Sequence, residues 1–247
     1  MARILMPLPD HDFDVTEVAV PWRLLVDAGH DVVFATETGT VIPAADPKLL
    51  NGVIFGQLGA EAEAKRFYAE LTQQESFRAP IAWHSIAPAS FDGLILPGGH
   101  APGMRQYLGS SVLQTAVADF WKLDRAVGAI CHGVLVLART IDPHTQRCVL
   151  HDARTTCLPK YMERSAYFTT AWKLGKYYRT YPKYVEDEVR GALDAPDTQF
   201  VRGPRNLSKR GTLTDDGPAF VVEDGRYISA RWPGDAYLFA RRFLTKL

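Results

Sequence analysis

The strongest constraint on this chain is an alternation. Short apolar runs of strand length recur along it, with helix-type segments between them. Ile4 to Leu8, "HDVVFAT" at 30–36, "FDGLILPGG" at 91–99 and "VGAI" at 127–130 read as buried strands. Segments 15–28, 61–74 and 110–123 carry helical spacing or helix-forming composition. Gly29 closes the first, and Ser110 opens the last as an N-cap. Val134 to Arg139 starts another helix. Strands that are apolar on both faces need cover on both faces, and intervening helices supply it. The pattern therefore predicts a doubly wound, mostly parallel α/β sheet with helices on both sides. Pro43 to Gly59, rich in Pro and Gly, reads as loop.

Past Thr140 the alternation loosens. "RCVL" at 147–150 reads as a strand, Pro159 to Pro182 as an aromatic, tyrosine-rich segment, and "YVEDEVRGAL" at 184–193 as a helix. The stretch "AFVVEDGRYISARW" at 219–232 carries two β-type runs around Asp224-Gly225, a hairpin signal, and a last helix begins at Gly234. The whole, 1–247, reads as one domain with a helical, aromatic-rich insertion or lid at about 150–215.

A chain of 247 residues that is 47% hydrophobic can bury a core without staples. Its three cysteines, Cys131, Cys148 and Cys157, have neither disulfide-framework nor zinc spacing. Basic and acidic residues balance at 28 each, which argues against nucleic acid or an anionic membrane as partner. "RNLSKR" at 205–210 reads as a solvated loop. No basic-then-apolar leader and no run approaching the roughly 18 residues of a membrane span is present, so the expected setting is a reducing cytoplasm.

Ligands of open parallel sheets sit at the carboxyl ends of strands, and three features cluster there. Cys131 follows the strand "VGAI" directly, with Ala129 and Gly133 two residues to either side, the small-neighbour pattern of a nucleophile elbow. The N–H groups of the next helix favour a thiolate or hold an oxyanion; the alternative is an inert core cysteine. "PGGH", Pro97 to His100, comes directly after the previous strand. Gly98 and Gly99 admit close approach of backbone N–H groups to a ligand, and Gly99 with the His132 N–H would form an oxyanion hole. His100 faces either pocket or solvent. Glu17 lies three residues after Asp14, so it serves either as a capping-box glutamate or as a carboxylate aimed across the sheet end at the thiol. None of the seven histidines lies beyond His151, so no distal base is on offer and His132 is the nearest imidazole to Cys131.

"AICHG" after one strand, "LPGGH" after the preceding strand, and "EVAVPWRLLVDAGHDVVFAT" near the start resemble the ThiJ/PfpI superfamily, as does the closing "DGRYISARWPGDAYLFARRFL". The resemblance covers both ends and much of the middle, with the motifs in the family's order. It implies the flavodoxin-like fold of class I glutamine amidotransferases. It also implies Cys131 as nucleophile, His132 as its imidazole partner, Glu17 as the carboxylate on the thiol, and Gly99 and His132 as oxyanion donors. Gly98 and His100 would touch substrate. The insertion is similar in placement to that of the chaperone and glyoxalase III branch, in which an acid orients the histidine; Glu163 is preferred here, with Asp152 as the alternative. The implied chemistry is a cofactor-free, metal-free conversion of a 2-oxoaldehyde to a 2-hydroxy acid, with a stress-response role, in a homodimer. An amide or peptide hydrolase, and a non-enzymatic chaperone or redox sensor with an accessible, low-pKa Cys131, are the competing expectations. Tyr161, Tyr167 and Trp172 would line the substrate pocket.

Overall fold

The computed structural model of the chain describes residues 1–53, 59–179, 181–206 and 208–247. Its strands are β1 (Arg3–Pro7), β2 (His11–Phe13), β3 (Asp31–Thr36), β4 (Ala44–Ala45), β5 (Ile81–Ala82), β6 (Gly93–Leu96), β7 (Ala126–Ile130), β8 (Val221–Asp224) and β9 (Tyr227–Ala230). Seven of them form one sheet in the order β5-β3-β1-β6-β7-β9-β8. Every pair in it is parallel except the closing hairpin β8–β9. The fold is thus the doubly wound α/β architecture that the alternation predicts, of the flavodoxin-like kind that the resemblance implies.

Chain direction across the sheet reverses at β1. After β1 the chain moves outward to β3 and β5, then returns to place β6 and β7 on the other side. That reversal opens a crevice at the carboxyl ends of β1 and β6, the usual ligand position in such sheets. The central strands are apolar throughout and buried, as strands covered on both faces must be. The helix Val15–Asp27 packs against the helices Ala62–Leu71 and Ala236–Leu244, while the last of these also lies on β7 and β9. Two strand glycines make room for it: a Cβ on Gly93 would stand 2.8 Å from Phe243 Cζ, and one on Gly128 would stand 2.7 Å from Phe239 Cζ. The aromatic face of the final helix is therefore seated directly on backbone.

Some expectations give way to tertiary context. "RCVL" is no strand; Cys148 makes only an isolated antiparallel bridge with Ile141. The expected loop 43–59 contains β4, paired with β2, and a short helix Pro47–Asn51 that Asp46 caps through Lys48 N at 2.8 Å. Its residues 54–58 lie outside the described ones. These elements are two to five residues long, too short for any periodicity to register. The aromatic segment is built around a helix, Lys160–Leu174, and two shorter helices, Val185–Arg190 and Pro196–Gln199, come after it. A buried ion pair anchors the chain beyond them: Asp235 accepts from Arg231 Nε and Nη2, both at 2.9 Å, and from Phe220 N at 2.9 Å. Arg231 Nη1 then donates to Pro204 O at 2.7 Å, tying the end of the insertion to the hairpin.

Candidate active site

The chain leaves β7 at Ile130 and turns at once. Cys131 has φ +57°, a left-handed conformation that costs a non-glycine residue about 1–3 kcal/mol and persists only where the surroundings enforce it. A single 3₁₀ turn, Cys131–Gly133, then leads into the helix Val134–Arg139. Enforcement comes from the neighbouring strand. A Cβ on Gly133 would lie 2.0 Å from Leu96 O, and one on Gly98 would lie 2.7 Å from His132 N and 2.9 Å from Glu17 Oε2. The ends of β6 and β7 therefore interlock backbone to backbone, and only glycine fits at these two positions.

The first helix brings the carboxyl group. Asp14 is its N-cap, accepting from Thr16 N at 2.8 Å and Glu17 N at 3.2 Å. Its own N–H donates to Gly98 O at 2.8 Å, so it is not available to close a capping box with Glu17. Glu17 reaches across the sheet end: Oε2 accepts from Gly98 N at 2.7 Å. Oε1 has no conventional partner, and the Cys131 sulfur is the polar group left facing the carboxyl. On its other side the sulfur lies 3.5 Å from His132 Nδ1.

Burial sets the proton balance. Glu17 is held well above the ordinary carboxyl range, first by desolvation and then by the Asp14 charge, with the Gly98 N–H opposing. Cys131 is fully buried and pushed well above its usual value, first by desolvation and then by the charges of Glu17 and Asp14. The expected accessible, low-pKa thiol is thus corrected: a one-turn helix start does not offset full burial beside two carboxyl groups. In such a close pair the two acids do not both ionise, so Glu17 and Cys131 hold at least one proton between them. His132 is kept neutral, well below its usual value, by burial and then by the nearby His100 and Arg139. His100 falls to about 4 through burial.

His100 faces the site, not solvent. Its ring meets that of His132 edge-on at 4.8 Å and that of Tyr178 at 4.9 Å. Tyr178 leans on Tyr177, whose hydroxyl donates to Asp46. A cavity of about 150 Å³ opens here, walled by Asp14, His100, Met162, Tyr178, Arg210 and Trp232 among others. His100, Cys131 and His132 offer donor atoms within 4.8 Å of one another, a soft set that a zinc ion could use.

The structure does not bring every expected residue to this point. Glu163 accepts from Val185 N at 3.1 Å and pairs with Arg179 at 3.5 Å, joining two helices of the insertion; burial raises it to about 7. Asp152 is exposed, bonds His151 at 2.8 Å and lies beside Arg125 and Tyr227, at the opposite end of β7 and β9. Among the described residues no carboxylate bonds His132. Tyr161 bonds Asn206 and lines a separate open cavity of about 660 Å³ with Arg205 and Lys209. Tyr167 packs in a small satellite cluster with Tyr177 and Tyr178, and Trp172 is 77% exposed. The residues that sequence reasoning missed are Asp14 as a cavity wall, Tyr178, Arg210 and Trp232. Nothing in local spacing singles them out, because each arrives from a different segment.

A family model described as ThiJ/PfpI family-like matches residues 8–204. An uncharacterised protein of Schizosaccharomyces pombe is 27% identical over 249 residues, covering 97% of this chain and 81% of that protein. A protein of Pyrococcus abyssi named a deglycase is 24% identical, with 99% of each chain covered. The solved structure of glyoxalase III from Candida albicans superposes with a TM-score of 0.72 at 18% identity, over 100% of this chain and 97% of that one. The Rapid Encystment Protein of 24 kDa from Francisella tularensis gives 0.73 at 18% identity, over 100% and 99%. At such identities the two structures speak for the fold.

Proposed function

Since the chain belongs to the ThiJ/PfpI family, we propose that it is a cysteine-dependent enzyme of small reactive carbonyls, converting a 2-oxoaldehyde to a 2-hydroxy acid. One observation carries the reading: a sulfur fixed at a strained elbow between a proton-holding carboxyl and a neutral imidazole, beside a small cavity. Three Pyrococcus relatives named deglycases lend support.

In this reading Glu17 and Cys131 share one proton: as Cys131 Sγ bonds to the aldehyde carbon C1, Glu17 gives that proton to the C1 oxygen and is left a carboxylate. The oxygen is held meanwhile by the N–H groups of Gly99 and His132, giving a hemithioacetal. Glu17, now a carboxylate, takes the hydrogen from C1 and returns it to C2. His132 carries the hydroxyl proton from the C1 oxygen to the C2 oxygen. C1 is thereby oxidised to a thioester and C2 reduced to an alcohol, with no outside electron acceptor. Water then attacks the thioester, releasing the 2-hydroxy acid and restoring the thiol. His132 takes its orientation here from packing against His100 and not from Glu163. The insertion serves as a lid in this reading, with Met162 and Tyr178 among its contributions to the cavity wall. Full burial of Cys131 weighs against a peroxide sensor.

Methylglyoxal consumption with stoichiometric lactate formation tests the reading. The parent protein should turn it over and Cys131→Ser should not; a serine variant as fast as the parent removes Cys131 from the chemistry.

A further inference from the structure

Arg210 ends the short basic stretch that the sequence presents as a solvated loop, yet its side chain is only 19% exposed and walls the cavity beside the Cys131 site. Its guanidinium lies over the Trp232 ring at 5.2 Å, and its Nη2 donates to Gly59 O at a long 3.4 Å. The nearest carboxylate, Glu61, stands 3.7 Å from Nε and is itself 72% exposed. Nη1 is buried with no hydrogen-bond partner. Trp232 Nε1, on the same cavity wall, is also buried with no partner. Two neighbouring donors, one of them on a cation, are thus left without an acceptor, an arrangement that proteins seldom leave unanswered.

The rest of the wall narrows the ligand. Leu158 and Met162 are apolar, and Arg210 is the only lysine or arginine lining the cavity among the described residues. Asp14 lies on the same wall with Oδ1 already used by Thr16 and Glu17 N–H groups. Burial holds the Asp14 carboxyl up at about 6 against the Arg210 charge, so the wall offers one cation and an acid that gives up its charge readily; at most a monoanion is accommodated, and a phosphate dianion would lack a second cation. A carboxylate presents two acceptor oxygens to a guanidinium and an indole N–H. His100 connects this cavity to the reacting sulfur, because it walls the cavity and packs on His132.

We propose that Arg210 and Trp232 bind the carboxylate of the substrate, which makes the substrate class a 2-oxoaldehyde bearing a carboxylate on a short methylene stem. This rests on the carbonyl chemistry proposed above. The simplest probe is 4,5-dioxopentanoate. Its aldehyde carbon becomes a carboxylate, its ketone carbon becomes an alcohol, and one water is added, giving 2-hydroxyglutarate with no external redox partner.

The acid is compared with its methyl ester. In the parent, kcat/KM should favour the acid at least tenfold. Arg210→Gln should bring the ratio close to one, Arg210→Lys should leave part of it, and Trp232→Phe, which keeps the ring and removes the N–H, should lower it. A parent ratio near one, or a ratio unchanged in Arg210→Gln, overturns the assignment. Calorimetric binding to Cys131→Ser, which needs no turnover, separates the two proposals. Acid bound more tightly than ester, with the difference lost in Cys131→Ser/Arg210→Gln, supports the carboxylate site even if the parent turns over neither compound. Turnover of both without preference, and no binding difference, leaves the carbonyl chemistry standing and refutes the carboxylate site.

Discussion

Replacing Gly133 by alanine sets two physical effects against each other at the elbow. Gly133 has φ −57° and ψ −26°, a helical conformation that alanine adopts without strain. On propensity alone the substitution should stabilise by up to about 1 kcal/mol. Packing says otherwise. The new Cβ would stand 2.0 Å from Leu96 O, 2.7 Å from Leu96 C and 2.7 Å from Pro97 O. All three are backbone atoms of β6 and the turn after it, so no side chain can rotate away. Relief requires the ends of β6 and β7 to separate, which disturbs the pairing of Leu96 with Ala129. Overpacking usually costs about 1–3 kcal/mol and more where the backbone must move, so a net loss of about 3 kcal/mol is expected. For a chain of this size that lowers Tm by about 6–12 °C. Gly191→Ala is the matched control: it is also helical, at φ −69°, and its Cβ would meet nothing closer than 3.4 Å. Urea unfolding of both variants, analysed by linear extrapolation, provides the comparison. If Gly133→Ala is as stable as Gly191→Ala, the interlock of the two strand ends is wrong, and so is the account of why Cys131 holds its strained turn.

Glu17→Gln can still accept from Gly98 N through its amide oxygen, so folding should survive. Because the Glu17 charge raises Cys131, the midpoint of the pH profile for Cys131 alkylation should move down in this variant, while carbonyl turnover falls by about 10²–10⁴ through loss of the proton carrier; an upward or absent shift contradicts the coupling. His100 titrates at about 4 in the fold against 6.5 in the unfolded chain. The unfolded state then binds more protons between those values, so the His100 contribution is complete above pH 6.5 and declines by about 3 kcal/mol as pH falls to 4. His100→Phe should flatten that acid limb of the stability curve, and a limb of unchanged slope would exclude His100 as its source. Arg231→Leu leaves Asp235 as an unpaired buried charge and should cost about 3–5 kcal/mol in chemical denaturation; a loss below about 1 kcal/mol would mean that the pair is solvated.

Much of the candidate site is readable along the chain because its members sit at strand ends. Cys131 and Gly98 fall just past apolar runs and Glu17 lies in the first turn of the helix after another, and a parallel sheet collects such positions at its carboxyl end. The adjacency of His132 to Cys131 and the scarcity of other histidines make that pairing readable too. Glu163 escapes the same logic. It lies in the insertion, where Thr155 makes only an isolated bridge to Phe200, and its carboxyl is consumed by Arg179 and Val185.

Hydrophobic period and glycine placement are local properties, so the layered α/β fold, its main strands and the three strand-end motifs are already legible in the linear chain. Charge states and the cavity are not, because they arise only in the closed fold. Whether Glu17 caps its own helix or meets the thiol depends on Gly98, a residue of another strand end, occupying the Asp14 N–H. Whether Cys131 is acidic depends on how completely the surrounding elements exclude water. Whether Arg210 belongs to a solvated loop or to a cavity wall depends on Trp232 packing beneath it. Each is a contact between distant segments, and desolvation, the dominant influence on Glu17, Cys131 and His132, exists only once the chain has closed around them.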